Sequence, residues 1–101
     1  MQYYNKNNLP ITIGQAIDAY GSIDIKEIKL YGEIDETHGF MVTDQGFYYC
    51  VNKPGFFPFE NLSDIIIHKE HGKCDQLILK SEKTARFNGN ETFWKMMAEV
   101  I

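Results

Sequence analysis

The sequence has little of what marks several large protein classes. Only two of its 101 residues are cysteines, Cys50 and Cys74. A disulfide framework needs more of them at closer spacing, so both are read as structural thiols in a reducing compartment. No apolar run approaches the roughly 20 residues that span a bilayer, and the polar stretch 1–8 lacks the apolar centre of a signal peptide. The expectation is a cytoplasmic protein. Basic runs are missing too: ten Lys and Arg are scattered among fourteen Asp and Glu, for a formal net charge of −4. That balance disfavours direct nucleic-acid binding and attachment to anionic membranes. There is no Gly-x-Ser-x-Gly elbow, phosphate-binding glycine loop or dinucleotide fingerprint, and no His lies near Cys50 in sequence. Neither an enzyme nor a cofactor is expected.

What is present is enough for an ordered fold. Hydrophobic residues make up 44% of the chain and charged residues 24%, near globular averages. A chain of this length buries roughly 65% of its unfolded surface, so a single domain over 1–101 is expected. The 14% aromatic content favours sheet. Residues 1–10, with three Asn and a Pro, read as an irregular lead-in. A short helix is expected over 12–21. Thr12 and Gln15 have capping-box spacing, Ile11 and Ala16 are placed for a hydrophobic staple, and Gly21 is a natural stop. Ile13, Ile17 and Tyr20 share one face of it.

From Glu27 the period becomes two. Ile28, Leu30 and Ile34 point one way and Lys29, Tyr31 and Glu33 the other. Turns at 35–39, 44–46 and 52–55 separate strands at 40–43 and 47–51 from an edge strand at 56–59, where Pro58 lacks an amide donor. Further strands are expected at 63–69, 76–81 and 84–88, with 68–75 as a polar loop. Asn90 is placed to cap a C-terminal amphipathic helix over 90–101, with Phe93, Met97 and Val100 on one face and Trp94 and Ile101 beside it. The fold class read from this order is α+β: a small antiparallel sheet or partly open barrel with a short N-terminal helix and a C-terminal capping helix.

The stretches Gly39-Phe40-Met41-Val42-Thr43-Asp44-Gln45-Gly46-Phe47-Tyr48-Tyr49 and Phe57-Pro58-Phe59-Glu60-Asn61-Leu62-Ser63-Asp64-Ile65, with the closing helix carrying Phe93 and Trp94, resemble bacterial PH-like and GRAM-like domains. The resemblance covers roughly 27–101 and implies a PH-like barrel. It also implies lipid-headgroup or membrane-surface binding, for which Lys53, Lys69 and Lys73 are the available cations. The first hairpin loop argues against that: lipid-binding members place Lys and Arg there, whereas this chain has Asp35-Glu36-Thr37-His38, which repels phosphate.

Three constellations invite a functional reading. His68, His71 and Cys74, three apart with Asp75 adjacent, are zinc-compatible donors. They lack a fourth ligand in sequence unless His38 supplies it, and a solvated hairpin loop explains them as well. The carboxylates Asp35, Glu36, Asp44, Glu60 and Asp64 all lie beside turns or strand ends, where local hydrogen bonding accounts for them. The aromatics Phe47, Tyr48, Tyr49, Phe56, Phe57 and Phe59 are too many for one side of a sheet. Tyr48 and Tyr31 share the outer side, and either pack under the N-terminal helix or form an interaction surface. The functional expectation is a non-enzymatic module that binds another protein through Tyr31, Asp35, Glu36, Tyr48, Phe56 and Phe57. Strand addition at 56–59 and docking of the acidic loop on a basic partner are the two routes. An inhibitor or immunity-type protein belongs to this class, and a homodimer through the strand edge is a further expectation.

Overall fold

The computed structural model of the chain describes residues 2–70, 72–88 and 91–100; the side chains of Glu70, Lys73, Cys74, Asp75, Glu91 and Val100 are outside that description. The fold is α+β. Among the described residues, eight antiparallel strands form two sheets, neither of which closes on itself, and two α-helices accompany them, with a short 3-10 turn at Ile25–Glu27. The chain divides into two compact units, residues 1–58 and 59–101.

The first unit is a five-stranded meander in chain order: β1 (Gln2–Asn5), β2 (Leu30–Glu33), β3 (Gly39–Val42), β4 (Gly46–Cys50) and β5 (Pro54–Pro58). The alternation and turn chemistry account for β2 to β5. Thr43, for example, closes the β3–β4 turn: its hydroxyl accepts from the amides of Gln45 and Gly46. β1 corrects the expected irregular lead-in over 1–10. Its residues Tyr3 and Tyr4 pair with Gly32 and Tyr31, a partner strand nearly thirty residues away that no local pattern announces.

The expected helix at 12–21 is also rebuilt. It begins as α1 (Ile13–Ala16) and continues as a π-helical turn, Ile17–Gly21, that ends with Ser22 in the left-handed region. Thr12 makes no capping bond. The Pro10 carbonyl instead accepts from the Ile13 amide, and the Thr12 hydroxyl donates to Glu33 Oε2 at 3.0 Å. Ile11 is fully exposed, so there is no staple on Ala16.

The register places Tyr4, Tyr31, Met41, Tyr48 and Phe56 in one row across all five strands, on the same face as Glu33 and Cys50. Ile13, Ala16 and Tyr20 pack on this face with Ile28, Tyr31, Met41 and Cys50. Ile28 therefore belongs with Tyr31 rather than with Leu30, and Ile34 lies half-exposed in the turn, which corrects the expected grouping of Ile28, Leu30 and Ile34. The opposite face carries Leu30, Phe40, Val42, Phe47 and Phe57, all buried. A sheet buried on both faces explains how one small unit accommodates so many aromatics. Each such side chain contributes roughly 1.5–3 kcal/mol through burial.

The second unit is a three-stranded meander, β6 (Asp64–Glu70), β7 (Lys73–Lys80) and β8 (Thr84–Asn88), followed by α2 (Glu91–Val100). Ile65, Leu79 and Ala85 align across it, as do Ile67, Leu77 and Phe87. Phe93, Trp94 and Met97 of α2 are buried, with the Trp94 ring 6.2 Å from Phe87. The reverse face has polar outer rows, Asp64, Lys80 and Thr84 in one and His68, Gln76 and Asn88 in another, around a middle row of Ile66, Ile78 and Arg86 in which Ile78 is buried. The expected loop over 68–75 is largely strand: β6 and β7 run on through it with a bulge between His68 and Lys69, and Gly72 adopts a positive φ of 79°. Cross-strand pairing overrides the polar composition there. Asn90, expected as the cap of α2, and Ile101 lie outside the described residues.

Candidate functional site

The β2–β3 connection carries two adjacent exposed carboxylates, Asp35 and Glu36. Gly39, with φ of 154°, starts β3 so close to β2 that an added Cβ would lie 2.2 Å from the Gly32 carbonyl oxygen. The turn before it is held by the Ile34 and Asp35 amides donating to the His38 carbonyl. Within it, Asp35 Oδ1 accepts from the Thr37 amide at 2.9 Å and lies 2.8 Å from His38 Nδ1. These contacts hold the Asp35 carboxyl below the usual carboxylate range, the Thr37 amide bond foremost and His38 next.

Thr12, Glu33, Asp35, Glu36 and Thr37 line an open groove at this turn. Glu33 is fixed at its rim, because Oε2 accepts from the Thr12 hydroxyl and, at 3.4 Å, from the Tyr31 hydroxyl. Beneath it, burial pushes the Tyr31 phenol well above its ordinary range, reinforced by the Glu33 charge. Tyr20 is raised further, by burial first and then by Tyr31. Its hydroxyl faces that of Tyr31 without a hydrogen bond of ordinary geometry. Three carboxylates thus line one groove, and Ile11 and Ile34, the chain neighbours of Thr12 and Glu33, are exposed at 100% and 48%.

Of the residues singled out in sequence, Asp35 and Glu36 meet in this groove. Tyr31 does not join them as an exposed contact. It is fully buried beneath the N-terminal helix and stacks on Tyr4 at 5.8 Å, so the packing alternative holds for it. Phe57 is also buried, on the opposite face of the sheet. Tyr48 and Phe56 pair with ring centroids 4.4 Å apart; Tyr48 is partly buried against the core cluster that holds Ile13, Ala16 and Tyr20, whereas Phe56 is 44% exposed. Phe56 lies three strand spacings from Glu33, roughly 14 Å, so the aromatic pair and the acidic groove are separate surfaces. Thr12 and Glu33 were not anticipated as site residues. Their local context marked them as a cap and an outward strand position, and only their mutual hydrogen bond places them at the groove.

The other candidates do not converge. His68 is exposed on β6, while His71 and the Cys74 side chain lie outside the described residues. No group of three or more potential metal-binding side chains forms among the described residues. Lys53 and Lys69 are exposed, and the Lys73 side chain is outside the description. Cys50 is a buried free thiol. No helix among the described residues is long and apolar enough to cross a membrane. No protein-family model matches the chain, and neither a curated protein nor a solved structure is found to be similar to it.

Proposed function

We propose that the protein is a non-enzymatic, cytoplasmic, PH-like interaction module that docks on a basic surface of a protein partner through the groove at the β2–β3 turn. The observation that carries this reading is the alignment of Glu33, Asp35 and Glu36 along one open groove. Charge of one sign steers association with a basic partner and selects against acidic ones. The exposed Ile11 and Ile34 supply apolar contact beside the charges, so the fitting partner segment combines Lys or Arg with an aliphatic or aromatic residue. An inhibitor or immunity-type protein that occupies a basic cleft with its carboxylates matches this chemistry.

The test is affinity capture of tagged protein from a lysate of its source at low and high salt, beside an Asp35→Lys/Glu36→Lys variant. One stoichiometric partner with a basic surface, retained at low salt and lost with the variant or at several hundred millimolar salt, is the expected result. A partner held equally well by the variant sinks the groove as the docking site. Sedimentation with anionic vesicles alongside would instead assign the module to membrane surfaces.

A further inference from the structure

In the second unit, α2 packs on one face of the three-stranded sheet, where Trp94 meets Phe87. On the reverse face, Asp64, His68, Lys80, Thr84, Arg86 and Asn88 are all exposed. Lys80 on β7 and Arg86 on β8 are diagonal neighbours there, with Cα atoms roughly 7–8 Å apart. Among the described residues neither cation is in an ion pair. Asp64 lies opposite Lys80, but its Oδ1 accepts from the Ile65 amide at 2.8 Å and so faces its own backbone. Arg86 donates through one nitrogen to Gln76 Oε1, at a long 3.5 Å, which leaves most of its fork for a carboxylate. Beside it in the middle row lie the buried Ile78 and the part-buried Ile66.

A cationic fork beside aliphatic surface is the chemistry that suits the groove at the β2–β3 turn, and the chain carries it on its own second unit. We infer that this reverse face is the docking surface for the acidic turn of a second copy of the chain, with Arg86 and Lys80 on Asp35 and Glu36, and Ile66 against the half-exposed Ile34. The inference rests on the reading of the turn as a surface that docks on cations. Charge complementarity selects the occupant: with a net charge of −4, two copies repel in most orientations, and this contact brings opposite signs together. The two surfaces are unlike, so reversing the charge of either one breaks the contact and reversing both restores it. Each docked copy has its groove masked, and a basic partner must compete for it. Exposed charge pairs contribute little, so the expected dissociation constant is weak, roughly 0.1–1 mM at low salt.

The experiment is sedimentation velocity at several hundred micromolar protein and low salt, on three charge-reversed variants beside wild type. The first is Asp35→Lys/Glu36→Lys, the second Lys80→Glu/Arg86→Glu, and the third carries all four changes. Wild type is expected to associate reversibly and to become monomeric at several hundred millimolar salt. Either two-site variant alone should associate about tenfold more weakly, while an equimolar mixture of the two, and the four-site variant alone, should regain association to within about threefold of wild type. Misfolding cannot produce that recovery. A monomeric wild type, or association that survives Lys80→Glu/Arg86→Glu, or a mixture that stays monomeric overturns the inference. Decalysine binding, followed by NMR, separates this failure from that of the groove itself. A monomeric wild type that binds decalysine through Asp35 and Glu36 refutes self-docking and keeps the groove; loss of both refutes both.

Discussion

Tyr20, on the N-terminal helical segment, and Tyr31, on the strand beneath it, carry the same phenol, yet their hydroxyls have opposite energetic signs. The Tyr31 hydroxyl donates to Glu33, and its removal leaves the carboxylate one donor short. The Tyr20 hydroxyl is buried without an ordinary bond, so its removal eliminates an unrepaid desolvation cost. Tyr31→Phe is expected to destabilise by about 1 kcal/mol and Tyr20→Phe to stabilise by about 1 kcal/mol, as read from urea midpoints; equal signs would contradict the assignment. Gly39→Ala is expected to destabilise more, by roughly 2–3 kcal/mol, because its new methyl meets the Gly32 carbonyl and its φ is unfavourable to an L side chain. Asp35 gives the pH dependence. Its folded-state pKa is depressed, so the stability it adds is complete above the unfolded value near pH ~3.9 and is lost as pH falls through the lower folded value. Acid unfolding of Asp35→Asn, followed by far-ultraviolet circular dichroism, should lack that component.

At the scale of elements, β5 shows how an edge is protected. Antiparallel pairing alternates the direction of backbone groups, so Pro54, Phe56 and Pro58 share one orientation. The ladder to β4 loses least when that orientation faces outward, and the outer edge then offers the Phe56 amide alone as a donor between two prolines. Strand addition there is blunted, which favours the proposed docking at the acidic turn over the edge-strand route. Pro54→Thr/Pro58→Thr should restore outward donors and cause association at tens of micromolar, measured by sedimentation velocity; a monomeric variant would count against the orientation. The hairpins β2–β3, β3–β4, β4–β5 and β7–β8 were legible because alternation and turn residues are local, whereas the polar ends of β6 and β7 read as a loop. β1 was not, since its pairing depends on β2. Thr12 was misread for the same reason: a hydroxyl followed by Gln15 looks like a cap until Glu33, twenty-one residues on, takes its proton.

For the whole molecule, stability and recognition draw on different terms. Stability rests on apolar burial, including Tyr31, Phe47, Phe93 and Trp94, whereas the Lys29–Asp44 and Asp35–His38 pairs are exposed and screened. Raising salt from 50 to 500 mM is therefore expected to shift the thermal midpoint by no more than a few degrees while abolishing docking on a basic partner; a large loss of stability would show that ion pairs carry the fold. Composition, period and turn chemistry were sufficient by themselves for the α+β class, the antiparallel hairpins, the buried face of α2 and the exposure of Asp35 and Glu36, because each depends on residues a few positions apart. That the N-terminal helix covers Tyr31 while Phe56, in the same row on the same face of the five-stranded sheet, stays part-exposed was decided only by tertiary structure. So was the gathering of Thr12 and Glu33 at the groove. In each case the deciding contact joins segments that are distant in the chain, and local sequence carries no record of which partner wins.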